Sequence, residues 1–442
     1  MRRPRDFGRL KKPPRTPHPS RQASGYRTMP RDRVAGRPSV ARQVAAHWRR
    51  ERQTLRQGFT ALGVSTGVGI TAGIVLGAME GLLAELPGLL MLIPAAIGMR
   101  GAIFGALGAR LGTGILTGQY STTLRRGSFT GANVEAAATL TLVSSALAAL
   151  FARAAAAAFG LETIPLWDLM LVSMVGGIGS SLFVLCGVLG LAAAARARGW
   201  DMDAVGSPLI TATGDIVTLP ALVVATRLLH GPLLNASLGG GLLALGLAAT
   251  AVSLARSPQL TRRVVVESLP VLAYAALVDI LAGTVLENDI ESFVASPALL
   301  VLIPPFIANC GSLGGILSAR LGSELHLGLI TPRPIPEKLA GLEASLTVAF
   351  AFAAFTGVGL IGHTAAELAN FASPGIAAMV AVALLGGLLA TLLLFAVAYS
   401  TAAATYRFGL DPDNYGIPIV TATMDFLGVG CLVAALALLG VS

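Results

Sequence analysis

The sequence predicts an all-α polytopic membrane protein, and three observations carry that prediction. Of the 442 residues 54% are hydrophobic and 12% charged, with mean hydropathy +0.73, a balance too apolar for a fold surrounded by water. Apolar runs of span length, bounded by charge, Pro or Gly, recur along the chain. The net charge of +9 is unevenly held: residues 1–57 contain 17 Lys+Arg against 3 Asp+Glu, and the remainder 15 against 20. A basic excess confined to an Arg/Pro-rich stretch reads as a disordered cytoplasmic tail, attracted at most to anionic lipid headgroups, and not as a nucleic-acid surface.

The runs are justified in order by their punctuation. The first, 58–84, starts where the tail charges end and stops at Glu85 and Pro87. The second, 88–118, closes before Arg125 and Arg126; 131–159 ends at Gly160. Pro165 opens 166–196, which ends at Arg196 and Arg198. Asp201 and Asp203 precede 205–229, and 233–255 lies between Pro232 and Arg256. Arg262 and Arg263 open 263–286, which meets Glu287; 297–322 begins at Pro297. Lys338 opens 339–362, Pro374 opens 374–405, and Asn414 precedes 415–440. These make eleven spans. The connections carrying Arg125, Arg126, Arg196, Arg198, Arg256, Arg262, Arg263, Arg333, Lys338 and Arg407 fall on the side of the tail, whereas Glu80, Glu85, Glu162, Asp168, Glu287, Asp289, Glu291 and Glu367 fall on the other. The positive-inside rule places the tail in the cytoplasm and Ser442 outside, in a plasma-membrane protein. No apolar run with a small-residue cleavage site opens the chain, so no secretory signal is expected. Cys186, Cys310 and Cys431 lie in apolar stretches and support neither a disulfide framework nor a zinc site.

The sequence also repeats. LLMLIPAAIGMRGAIFGALGARLG (89–112) matches LLVLIPPFIANCGSLGGILSARLG (299–322), and GWDMDAVGSPLITATGD (199–215) matches GLDPDNYGIPIVTATMD (409–425), both at a shift of 210. A constant offset over two blocks marks a duplicated unit. The expected organisation is a tail (1–57), a five-helix repeat (58–229), a linker helix (230–257) and a second five-helix repeat (258–442). Five is odd, so the linker helix restores orientation and the repeats run parallel, related by an axis along the membrane normal. The linker has no polar cluster and no repeat partner.

Asp215 and Asp425 are the strongest chemical signal. Each lies about ten residues, ~15 Å, into its helix, where an ionisable group costs at least ~2.5–3.5 kcal/mol. Two such carboxylates at equivalent depth suit a shared cation site on the axis; the plainer alternative is that threonine hydroxyls hold each of them for packing. Thr211 and Thr421, four residues earlier on the same faces, are candidate oxygen ligands or packing threonines in equal measure. Pro94 and Pro304 with Gly101 and Gly311 suit slightly broken, pore-lining helices or close helix packing, and Asn309 offers a neutral oxygen. Asp279, opposite Gly69 in the other repeat, is a candidate second ion or proton site, or a structural carboxylate bonded to Arg100. Arg100, opposite Cys310, is expected to pair with a carboxylate rather than to snorkel. Arg110 and Arg320 read as snorkelling anchors, and Asn133, Glu135 and Glu343 as helix-start groups. Asp201, Asp203, Asp411, Asp413 and Asn414 at the cytoplasmic mouth read as turn and cap residues, or as an electrostatic funnel.

The Pro-containing second helix ending in ARLG and the DPDN…P…TATxD block resemble the membrane domain of the MgtE-type magnesium transporters, and the double repeat is similar to their eukaryotic solute-carrier relatives. The resemblance covers nearly all of 58–442. It implies a Mg²⁺ path on the pseudo-twofold axis, with Asp215 and Asp425 binding the ion, which reaches the site partly or fully hydrated because Mg²⁺ dehydrates reluctantly. Mg²⁺ is then substrate; no cofactor and no enzyme activity are implied, and the partners are the divalent cation and the bilayer. In many relatives a Gly-Asn pair follows the second-helix Pro; here the positions read Gly101-Ala102 and Gly311-Ser312. Residues 1–57 have no room for a regulatory domain of the bacterial kind. The alternatives are a Na⁺-coupled exchanger, suggested by Arg100 against Cys310; an intramembrane aspartyl protease, disfavoured because GxGD is absent and the two Asp environments are duplicates; and an organic-cation carrier, disfavoured by 6% aromatic residues.

Overall fold

The computed structural model describes residues 40–125, 127–198, 202–333, 336–409 and 416–441, without the side chains of 40, 53, 202–209, 211, 212, 326 and 417. Residues 44–442 form one compact unit; of the separate unit 1–43, only the start of the first helix is described. The described residues are helices and connections, with no strand: α1 (Val40–Arg50), α2 (Arg52–Gly77), α3 (Glu80–Glu85), α4 (Leu89–Leu116), α5 (Phe129–Phe159), α6 (Leu166–Arg198), α7 (Met202–Thr226), α8 (Pro232–Ala255), α9 (Gln259–Asn288), α10 (Ile290–Ala295), α11 (Pro297–His326), α12 (Lys338–Leu368), α13 (Ile376–Phe408) and α14 (Ile417–Leu439). Ten are long and apolar enough to cross a membrane; α7 is the eleventh long helix, apolar over Thr213–Thr226.

Three short or early helices depart from expectation. The chain is helical from Val40, well before the expected end of the tail at residue 57, because α1 is two-faced: Val44, His47 and Trp48 are partly buried while Ala45, Ala46, Arg49 and Arg50 are exposed. The expected span 58–84 is two helices, α2 ending at Gly77 and α3 following. With Glu80 and Glu85 in six residues and only Leu83 buried, α3 has one apolar anchor and runs as a short separate turn. Its equivalent α10, at the same shift of 210, has Phe293 as its buried residue, and α3 packs against α10. Pro94, Pro304 and Pro305 lie inside α4 and α11, which continue as helices through them.

The first helix of each repeat packs on the other repeat. α2 lies along α11 and α12, and α9 lies along α4 and α5. Each also touches the last helix of its own repeat, α2 with α7 and α9 with α14, so the two first helices tie the halves together. Close approach is what permits this. A Cβ on Gly73 would run into the carbonyl oxygen of Val301, and one on Gly283 into that of Met91, so only glycine fits where helix backbones touch.

The linker helix α8 packs on α6 and α5. It carries no polar cluster, but its buried Asn235 donates to Asp168 Oδ1 (2.9 Å) and its buried Ser253 pairs with Thr139 (2.8 Å). These bonds fix α8 to the first half at both of its ends.

Candidate functional site

The TATxD blocks fall in α7 and α14, equivalent helices that pack on α4 and α11 respectively, with α14 also reaching α4. Asp215 is buried in α7 and Asp425 is partly exposed in α14. Asp425 lies within electrostatic reach of Asp215, and Asp279 of α9 within reach of Asp425. Three carboxylates from three helices, two of them repeat equivalents, thus share one region inside the bundle. Among the described residues no three His, Cys, Asp or Glu side chains converge tightly enough to grip a metal ion directly.

The space beside Asp425 is made by glycine: a Cβ on Gly311 would stand 3.2 Å from Asp425 Oδ1 and 3.9 Å from Thr421 Cβ. Thr421 is therefore next to the carboxylate, although its hydroxyl donates to the Pro418 carbonyl (3.1 Å). The Thr211 side chain lies outside the described residues, as do Asp201, Asp411, Asp413, Asn414 and the side chain of Asp203. Asn309 is fully buried; its amide donates to Thr66 Oγ1 (2.9 Å) and the Pro305 carbonyl (2.7 Å), while Oδ1 has no hydrogen-bond partner. Asp279 is buried against α4, where a Cβ on Gly98 would stand 2.6 Å from its Oδ2, and its Oδ1 is without a hydrogen-bond partner.

Several charges stand elsewhere than the sequence suggested. Arg100, 1% exposed, makes no ion pair among the described residues. Its Nε donates to Ser180 Oγ (3.1 Å) and its Nη2 to Ser145 Oγ (3.2 Å), because its side chain points back between α5 and α6. It therefore does not bond Asp279. Arg320 does not snorkel: it forms ion pairs with Glu343 and with Glu51 Oε2 (3.0 Å). Glu343 is not a surface group at a helix start but is buried, with His47 Nε2 3.2 Å from its Oε1, which Arg320 Nη2 also reaches (2.8 Å). Glu51, ahead of the first span, has its carboxyl held below the usual glutamate range, foremost by the hydrogen bond from Thr54, then by Arg320 against the opposing effect of burial.

Two groups escaped sequence reasoning. Glu287 is buried and accepts from the Gly88 amide (2.6 Å), so an α9 carboxylate sits at the start of α4; in sequence it was one more loop acid. Tyr274 of α9 bonds Thr423 of α14 (2.8 Å), a link whose only sequence signal was the second Thr of the TAT motif. A cavity of about 260 Å³ between α4, α5, α6 and α8 is lined by Phe104, Thr141, Ser181, Leu182 and Leu245 among others and contains no carboxylate, so it offers no cage for an organic cation.

Duplicated five-helix units with crossed first helices and carboxylates at equivalent positions of equivalent helices define a multi-pass helical membrane protein built as an internal pseudo-dimer. The family model described as MgtE, divalent cation transporter, matches residues 93–225 and again 303–435, the same shift of 210 that relates the motifs. The chain belongs to the MgtE family of divalent cation transporters, a transporter family and not an enzyme class. Among curated proteins it is similar to solute carrier family 41 member 2 of Xenopus laevis (25% identity, covering 82% of this chain and 68% of that one) and of Homo sapiens (24%, 82% and 66%). It is also similar to solute carrier family 41 member 3 of Rattus norvegicus (23%, 83% and 83%). The chain spans about two thirds of the length of these member 2 relatives. No solved structure matches it.

Proposed function

We propose that the chain carries Mg²⁺ across the plasma membrane along the axis between its two repeats, with the N-terminal side cytoplasmic and Ser442 outside. The observation that carries this reading is that Asp215 and Asp425, the equivalent acids of the repeats, stand on the equivalent helices α7 and α14, which pack on the equivalent helices α4 and α11. Two carboxylates in a low-dielectric surround favour a divalent over a monovalent cation, since the attraction scales with ion charge. Mg²⁺ keeps an octahedral water shell at low energetic cost, and carboxylates that do not converge into a tight cage suit outer-sphere contact through that shell. Thr421 stands beside Asp425, Thr211 holds the equivalent sequence position ahead of Asp215, and the unpartnered Oδ1 of Asn309 is available as a neutral acceptor.

The reading favours a passive path over Na⁺ exchange. A tethered cation competing for the carboxylates was the ground for exchange, and Arg100 is instead turned towards Ser145 and Ser180. Purified protein in proteoliposomes containing a Mg²⁺-sensitive dye tests this. Mg²⁺ influx is expected at the same rate with and without an opposing Na⁺ gradient; Na⁺-dependent influx overturns the passive version, and no Mg²⁺ influx overturns the substrate.

A further inference from the structure

Among the described residues, four buried charges have no charged equivalent in the opposite repeat; Glu343 pairs with Arg320 and Glu287 accepts from the Gly88 amide, which leaves two of opposite sign, Arg100 and Asp279. Arg100 stands where the second repeat has Cys310, and Asp279 stands where the first has Gly69. Both are 1% exposed; Arg100 is part of α4, and Asp279 of α9 lies against that helix. Asp279 Oδ2 faces Gly98, while Arg100 follows two residues later, about 200° around the helix and so on the opposite face. The body of α4 stands between them, and they do not pair.

Neither charge is neutralised locally. Arg100 has two serine hydroxyls, which are dipoles, and its Nη1 is without a hydrogen-bond partner; Asp279 has an unpartnered Oδ1 and a carboxylate neighbour, Asp425. Packing alone does not require an arginine, because in the other half Cys310 fills the equivalent place against Gly428, where a Cβ would stand 2.8 Å from its Sγ. An unpaired charge buried in a membrane bundle is costly and marks function. Its field extends into the low-dielectric interior, and Arg100 Cβ would be 3.4 Å from a Cβ on Gly214, the residue before Asp215.

We infer that Arg100 and Asp279 are a charge-compensated pair acting across α4, which together hold the ion path at the net −2 of the Asp215 and Asp425 couple and so set its affinity for a divalent cation. Asp279 alone would make the region −3, binding the ion too tightly for release; Arg100 alone would make it −1, holding the ion too weakly. This rests on the proposed Mg²⁺ path.

The test is a double-mutant cycle on the half-saturating Mg²⁺ concentration for influx into proteoliposomes, using the full chain and the residues that the opposite repeat carries. Arg100→Cys is expected to lower that concentration on the order of tenfold and to slow maximal influx, and Asp279→Gly to raise it on the order of tenfold. The double variant R100C/D279G is expected to return to within about threefold of the wild type. Arg100→Gln and Asp279→Asn, which remove each charge with a smaller change of volume, repeat the comparison should the larger changes impair folding, and Arg100→Lys, which keeps the charge, is expected to stay near the wild type. If both single changes shift affinity in the same direction, or the double variant is worse than either, the compensation is wrong and the residues are structural. If the wild type shows no saturable Mg²⁺ influx, the proposed function fails instead, and the two failures are thereby distinguished.

Discussion

Gly73 and Gly283 are equivalent residues of the two repeats, and each presses against a backbone carbonyl of the opposite repeat, Val301 for the first and Met91 for the second. A contact made twice, on first helices that cross to the other half, makes the two repeats mutually dependent. Neither half can separate without uncovering the glycine face of its borrowed helix.

Alanine at either position therefore tests the crossing. A methyl group meets a carbonyl oxygen on a rigid helix backbone, which cannot rotate away as a side chain would. Gly73→Ala and Gly283→Ala are each expected to destabilise by about 1–3 kcal/mol, read as a lowered melting temperature of the purified protein in detergent. Gly63, with open space around it, is the control: Gly63→Ala is expected to leave the melting temperature unchanged or raise it slightly.

The Arg320 cluster gives a second expectation. Glu343→Gln leaves a partly exposed guanidinium without its buried partner; because Arg320 is about one quarter exposed, the loss should be about 2 kcal/mol rather than the larger cost of a fully buried pair. Glu51 is more exposed, and Glu51→Gln should cost less than about 1 kcal/mol at neutral pH. The folded-state pKa of Glu51 is depressed, so its contribution is complete above the unfolded value near 4.3 and lost as pH falls through the lower folded value. The melting difference between wild type and E51Q should thus be the same at pH 7 and pH 5 and shrink only below about pH 4.

The linker helix supplies a third. Asn235→Ala removes the hydrogen bond to Asp168 and should cost about 1 kcal/mol, with Mg²⁺ influx per folded molecule unchanged because α8 packs on α5 and α6, away from Asp425. A loss of influx without loss of stability would give the linker a part in transport.

The fold was legible in sequence where periodicity and punctuation agree. The constant shift of 210 residues identified the duplication, and the family match at 93–225 and 303–435 has that shift too. What composition concealed was local. The Pro/Arg-rich average of the tail hid the two-faced pattern of Val44, His47 and Trp48, and the apolar run through Gly77 hid the turn into α3. At the site, the residue types on the motif pointed to Asp215 and Asp425, whereas side-chain direction did not follow from position: Arg100 lies inside α4 but points to serines, and Glu287 lies near a loop but bonds the Gly88 amide. The crossing of α2 and α9 has no local signal, since glycine stripes fit packing on either half.

The central claim is that Asp215 and Asp425 together carry the ion. Its most direct test is growth at limiting Mg²⁺ of a cell lacking its own magnesium uptake, expressing the wild type, Asp215→Asn, Asp425→Asn or the double variant at matched membrane levels. Rescue by the wild type and its loss in the double variant is the expected result; rescue that survives both substitutions would contradict it and leave the paired carboxylates a packing feature.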